Sequence, residues 1–203
     1  MGFYRNVVLP RLVHHSMTNR ELLPYRLRAL SAAEGRVLEV GIGSGLNLPL
    51  YSAAVREVIG LDPSPQLLTM ARHAVGRCAC QASLIEGSAE AIPLDSHSVD
   101  TVVTTWTLCS IHGAGQALRE MRRVLKPGGQ LLFVEHGLSS EEPVQRWQDR
   151  LTPIWRCLGG GCHLNRPIRT LIEAAGFNIA RIETGYAKGP RPMVFMYEGR
   201  AVP

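Results

Sequence analysis

Residues 37–47 read Val-Leu-Glu-Val-Gly-Ile-Gly-Ser-Gly-Leu-Asn, and a second apolar run, Val58-Ile-Gly-Leu-Asp62, ends in a carboxylate. A short β-branched strand therefore feeds a turn with glycine at Gly41, Gly43 and Gly45, and a neighbouring strand closes on Asp62. In an open α/β sheet this arrangement builds a nucleoside site at the carboxyl ends of two adjacent strands. Glycine lets the backbone turn tightly and approach a ligand, because it carries no Cβ. Asp62 is placed to accept hydrogen bonds from two ribose hydroxyls.

The spacing selects among nucleosides. A dinucleotide fingerprint needs a third glycine for close helix–strand packing. Counted from Gly41 that position is Leu46, so the fingerprint fails. The pattern is instead E-x-G-x-G-x-G, with Glu39 at the strand end. A carboxylate there suits a ligand with a cationic amino group and no pyrophosphate, and S-adenosylmethionine fits that description. A nicotinamide oxidoreductase is disfavoured by Leu46 and Glu39 together.

Bulk properties agree with one globular unit. The chain has 203 residues, 45% of them hydrophobic, and a mean hydropathy of +0.01, enough to bury a full core. No stretch reaches the ~18 apolar residues of a spanning helix. Arg5 and Arg11 break the N-terminal apolar run, so neither a signal peptide nor an export route is expected, and a cytoplasmic location follows. The net charge of +5 comes from dispersed arginines, which reads as a solvated basic surface. Cys78, Cys80, Cys109, Cys157 and Cys162 lack paired zinc-ligand spacing, so reduced thiols and no metal are expected.

Along the chain, residues 1–30 form a cationic lead-in that Pro10 and Pro24 divide into two short helices, a flap on the main domain of residues 31–203. Its basic, partly amphipathic character leaves peripheral contact with an anionic membrane open. Strands are expected at 36–40, 57–61, 83–86, 99–105 and 130–135. Helices are expected from Ser44 onward, from Pro65 to about Arg77 with Ser64 as N-cap, and over 114–125, 144–156 and 167–175. Residues 177–186 and 193–197 read as a final antiparallel pair. The β–α alternation predicts a Rossmann-like, mostly parallel sheet flanked by helices.

Four ordered segments, VLEVGIGSGLN, VIGLDPSP, EGSAEAIPLDSHSVDTVV and RVLKPGGQLLFVEH, resemble the class I S-adenosylmethionine-dependent methyltransferases, and within them the small-molecule group of the ubiquinone and menaquinone enzymes. The resemblance spans residues 37–136 and implies a seven-stranded sheet whose last strand is antiparallel. It places the cofactor pocket on Glu39, Gly41, Gly43, Gly45, Asn47, Asp62, Pro63, Ser88, Ala89 and Thr104. The family often has Asp where Ser88 stands, so adenine contact is expected to shift toward the Ala89 backbone and Glu90. The strings TLCSI, VEH, WQDRLTPIW and GGCHLNR are similar to an alkyl-thiol methyltransferase-like branch. That branch carries an N-terminal membrane anchor in animals, and no anchor is read in residues 1–30.

Methyl transfer from a sulfonium requires mainly in-line positioning of the nucleophile. A base is needed only where the nucleophile must lose a proton, and a thiol with a reference pKa near ~8.5 needs little help. The expected acceptor is therefore small and lipophilic, with a thiol favoured and a phosphatidylethanolamine-like amine or a quinone carbon as alternatives. His136, after the fifth strand, and His163, in the glycine-rich loop, are the candidate catalytic groups. Cys109 is expected in the acceptor-pocket wall, with Trp106, Trp147 and Trp155 as candidate lining. Nucleic acid is not an expected substrate, because Thr104-Thr105-Trp106-Thr107 stands where base-modifying enzymes carry Asn/Asp-Pro-Pro-aromatic. A non-catalytic cofactor-binding role and the oligomeric state stay open.

Overall fold

Strands apolar on both faces must be covered on both faces, and the sheet is built around two of them. The computed structural model describes residues 4–203; the first three residues of the lead-in, and the Arg5 and Asn6 side chains, lie outside the described part. In chain order the elements are α1 (Leu9–Met17), α2 (Leu23–Leu30), β1 (Gly35–Val40), β2 (Val55–Asp62), α3 (Pro65–Val75), β3 (Gln81–Glu86), β4 (Val99–Thr105) and α4 (Ala114–Val124). Then come β5 (Leu125–His136), α5 (Glu142–Leu158), α6 (Ile168–Ala174), β6 (Asn178–Tyr186) and β7 (Phe195–Val202).

The strands form one sheet in the order β3-β2-β1-β4-β5-β7-β6. The first five are parallel, and β7 inserts antiparallel between β5 and β6. The order reverses between β1 and β4, so the loops leaving their carboxyl ends diverge and open a crevice. On one face Leu38, Val102, Leu131 and Phe133 pack with Leu118 and Met121 of α4 and Ile168 and Ile172 of α6. On the other, Val37, Val58, Val103 and Leu132 pack with Leu30 of α2 and Leu68 of α3.

Most element boundaries fall within two residues of the sequence reading. Ser64 caps α3, its side chain accepting from the Leu67 amide with Pro65 in the first turn. The lead-in does form two helices, but Pro10 and Pro24 sit in their first turns rather than between them, where the missing N–H costs nothing.

One expected helix is absent. After β1 the chain stays in tight turns and makes only a 3-10 turn at Leu48–Leu50. Gly41, Gly43 and Gly45 all have positive φ, a conformation no right-handed helix contains. The Asn47 side chain, which could have ended such a turn locally, is drawn into a buried contact with Glu39.

Gly199 on β7 offers a test of how tightly the sheet is packed. A Cβ there would lie 2.3 Å from the Arg181 carbonyl oxygen and 2.6 Å from Phe133, so backbone must move. Gly199→Ala is expected to lower unfolding free energy by about 1–3 kcal/mol. Gly76→Ala, where a Cβ meets nothing within 4 Å and φ is −65°, should be neutral or stabilising by up to ~1 kcal/mol. Urea unfolding of the two variants checks both.

Candidate functional site

The turn after β1 and the end of β2 are locked together through the backbone. The Gly41 and Ile42 amides donate to the Leu61 carbonyl at 2.8 and 3.2 Å. The Asp62 carboxylate accepts from the Gly43 amide at 2.9 Å and from the Ser64 amide at 2.9 Å. Two of its four lone pairs are thereby used, and the others are available to a ligand. Burial raises the Asp62 pKa, against the two amide hydrogen bonds that hold its anion. A Cβ on Gly41 would overlap the Thr107 side chain at 2.2 Å, whereas one on Gly43 meets only the Gly41 carbonyl oxygen at 4.0 Å. Gly43 thus faces open space, and that space is the cavity.

The cavity has a volume of about 530 Å³, within the range of small-molecule sites. Six of the expected cofactor residues, Gly41, Gly43, Asp62, Pro63, Ser88 and Ala89, line it. Leu9, Pro10, Val13, His14 and Met17 of α1 form the opposite wall, so the lead-in roofs the site. His14 Nδ1 lies 2.7 Å from Ser44 Oγ and ties that roof to the glycine turn.

Four expected cofactor residues do not reach the cavity wall. Gly45 packs the turn against Ala71 and Ala74 of α3. Thr104 is buried and donates to the Glu135 carboxylate at 2.7 Å. Glu39 and Asn47 lie one layer behind: Asn47 Nδ2 donates to Glu39 Oε1 at 2.8 Å, and the Tyr51 hydroxyl donates to Oε2 at 2.7 Å. Burial pushes Glu39 up to about 7, and the Tyr51 hydroxyl, the Arg26 charge and Asn47 pull the other way.

The expected catalytic histidines also stand back from the cavity. His136 Nε2 lies 2.9 Å from Cys162 Sγ. His163 Nδ1 lies 3.1 Å from the Cys109 carbonyl oxygen and 2.9 Å from Arg166 Nη2. Burial and the Arg166 charge lower the His163 pKa. Cys109 is buried behind Ser110, which does line the cavity. Trp106 lines the cavity, but Trp147 is 55% exposed on the outer face of α5 and Trp155 lies outside the lining. Trp147 falls outside the buried stripe of α5, which runs through Val144, Gln148 and Thr152, whereas Trp155 packs beside Gly159.

Arg26 is the group that sequence reasoning missed. Its side chain is buried, lines the cavity, and stacks over the Trp106 ring at 4.8 Å. Nη1 donates to Asn47 Oδ1 at 2.7 Å and Nη2 to the Met17 carbonyl at 3.3 Å. Nothing local distinguishes it from Arg20 or Arg28; only its contacts do. Trp106 itself has φ +53°, a strained conformation for a bulky residue and one concentrated at functional sites.

The family model for the methyltransferase domain matches residues 38–133. Over 202 residues the chain is 31% identical to the Homo sapiens thiol S-methyltransferase TMT1B, covering 95% of this chain and 80% of that one. The chain belongs to the class I S-adenosylmethionine-dependent methyltransferases. A Rattus norvegicus TMT1B is 35% identical over 155 residues, and the match spans 63% of its length. A phosphatidylethanolamine N-methyltransferase of Cereibacter sphaeroides is 33% identical over 64% of each chain. A solved S-adenosylmethionine-dependent methyltransferase of Thermotoga maritima superposes with a TM-score of 0.68 at 22% identity, covering 96% of this chain and 97% of that one.

The protein is thus a methyltransferase that uses S-adenosylmethionine, and the cavity suits that cofactor. The open face of Gly43 leaves room for it, and Asp62 keeps free lone pairs for hydroxyls. Asp62→Ala is expected to weaken cofactor binding by ~1.5–3 kcal/mol, the scale of hydrogen bonds to a charged group. Gly43→Val should abolish binding by filling the cavity. Isothermal calorimetry with S-adenosylmethionine checks both.

Glu39 adds a pH signature. In the unfolded chain it ionises near 4.5, and in the native protein near about 7. Between those values the native state holds the extra proton, so stability falls as pH rises through that window and levels above it. Glu39→Gln removes this contribution. A parallel slope from Glu135, which burial pushes to about 8, persists. Thermal melts of the cofactor-free protein from pH 4.5 to 8.5 read the difference.

Proposed function

We propose that this methyltransferase S-methylates a small lipophilic thiol. The observation that carries the reading is the polarity of the cavity beyond the glycine turn. That region is walled by Leu9, Val13, Met17, Trp106 and Ile111, with the Arg26 guanidinium among them. The carboxylates in the lining are Asp62 and Glu90. Asp62 is held by the glycine turn, and Glu90 accepts from the Gly113 amide and the Ser88 hydroxyl.

S-adenosylmethionine, when bound, supplies a methyl group on a cationic sulfur that leaves as a neutral thioether. The chain's own residues then have two tasks. The α1 roof and Trp106 offer apolar surface to an apolar acceptor and exclude water from it. Arg26 favours the ionised form of a thiol beside it, since an opposite charge within a few ångströms lowers an acid's pKa. Its guanidinium stays cationic, although burial lowers its own pKa.

The likeness to the thiol S-methyltransferases supports this reading, and the likeness to a phosphatidylethanolamine N-methyltransferase supports a second one. An ammonium headgroup, however, would meet Arg26 and no free carboxylate at that end of the cavity. The amine therefore stands behind the thiol, and a quinone carbon behind both.

The test is a mass-spectrometric assay with labelled S-adenosylmethionine and a panel of hydrogen sulfide, alkyl and aryl thiols, a short-chain phosphatidylethanolamine and a demethylated quinone. A methylated thiol as dominant product is the expected result. Label in the lipid or quinone would overturn it, and cofactor binding without turnover on any acceptor would favour a non-catalytic role. Arg26→Met is expected to lower thiol turnover at pH 7 by about 10-fold or more and to shift the rising limb of its pH–rate profile upward, toward the free thiol pKa.

A further inference from the structure

Three soft donors from three separate segments converge behind the cavity wall. Cys109 lies in the connection after β4, His136 ends β5, and Cys162 follows the Gly159-Gly160-Gly161 run between α5 and α6. Their ligand atoms all lie within 4.8 Å of one another, with His136 Nε2 2.9 Å from Cys162 Sγ. Cys109 is 2% exposed and Cys162 7%. Around them, the Cys109 thiol has the Trp106 carbonyl at 3.6 Å and the Ser110 hydroxyl at 3.5 Å.

We propose that Cys109, His136 and Cys162 form a zinc site that fastens the glycine loop to the rim of the cavity. Two thiolates and one imidazole are the donor set of a borderline-soft divalent ion, and carboxylate-preferring magnesium or calcium is excluded by the same chemistry. A tetrahedral ion with Zn–S of ~2.3 Å and Zn–N of ~2.05 Å sets its nitrogen and sulfur donors about 3.5 Å apart and its sulfurs about 3.8 Å apart. The three donors lie within 4.8 Å of one another, and the His136–Cys162 pair must open by roughly 0.6 Å from its 2.9 Å separation.

Two plainer readings account for less. Cysteine packs as a small apolar residue, but that does not explain why two thiols meet an imidazole nitrogen. A Cys109–Cys162 disulfide would consume both sulfurs and remove the hydrogen-bonding thiol from His136 Nε2.

The consequence of the site lies in what it joins. Ser110, beside Cys109, and Gly159 and Gly160, just before Cys162, all line the cavity, and a Cβ on Gly160 would touch Leu9 of the α1 roof at 3.1 Å. An ion here therefore sits one residue behind the wall and holds the loop on which the roof rests. It does not touch the reacting atoms, so the proposal stands whichever acceptor is methylated.

The full chain, stripped with a chelator and titrated with zinc against a chromophoric competitor, is expected to take up a single equivalent. Cobalt(II) in its place should give thiolate-to-metal charge-transfer bands and the strong d–d absorption of a tetrahedral site. Cys162→Ser and His136→Ala should weaken zinc binding by about 100-fold or more. Cys157→Ser and the Cys78→Ser/Cys80→Ser double variant should retain it, which excludes binding at the exposed thiol or at the Cys78–Cys80 pair. Uptake by the parent no tighter than by Cys109→Ser/Cys162→Ser would overturn the site. So would a Cys109–Cys162 disulfide in the protein as isolated, detected by intact mass. Should a variant fail to fold by circular dichroism, the cobalt spectrum of the parent chain decides alone.

Discussion

A buried carboxylate at the end of β1 organises the site end of this protein. Glu39 is 1% exposed, and a charge in such a place is tolerated only when its oxygens are bonded. Here Asn47 from the glycine turn and Tyr51, just after the 3-10 turn, supply those bonds. Arg26 then bonds Asn47 and reaches the Met17 carbonyl, so one chain of polar contacts joins β1, the cofactor turn and both lead-in helices. The fold's demand that the carboxylate be satisfied is what fixes the roof over the cavity.

Glu39, expected among the cofactor residues, lies behind the cavity wall with Asn47 and Tyr51 on its oxygens. The strand-end carboxylate looks like a direct partner for the amino group of the cofactor, yet it stands behind the wall. Its effect on the cavity is transmitted through Arg26, whose guanidinium stacks on Trp106. The Arg26 charge and the ionised form of Glu39 favour each other against the burial that disfavours both charges. Asp62, by contrast, is held by two backbone amides at the wall itself, as befits a ligand-facing group.

The opposite rim is governed by soft donors. β5 carries His136 to the end of the sheet, and the glycine run lets the chain double back so that Cys162 meets it. Gly160 and Gly161 both have positive φ, so the reversal depends on residues without a Cβ. The two rims thus hold the same cavity by different chemistry: charge-assisted hydrogen bonds beneath the lead-in, and a thiol–imidazole cluster beneath the glycine loop.

The sequence alone determined the alternation of strands and helices, the turn at Gly41–Gly45 and the carboxylate at Asp62. These follow from hydrophobic period, capping and the absence of a Cβ, all of which act between residues close in the chain. It over-read one helix after Ser44, where Gly43 and Gly45 take positive φ and the chain stays in tight turns. Tertiary structure decided the rest. Arg26 becomes a cavity residue only because α2 packs against β5, β7 and the 3-10 turn after β1, and Trp147 becomes a surface residue because α5 buries a different stripe. His136, Cys109 and Cys162 become one cluster only because the strand order brings the ends of β4 and β5 together. No spacing rule could reveal that meeting, since the distance between such groups is set by the sheet and not by the chain that connects them.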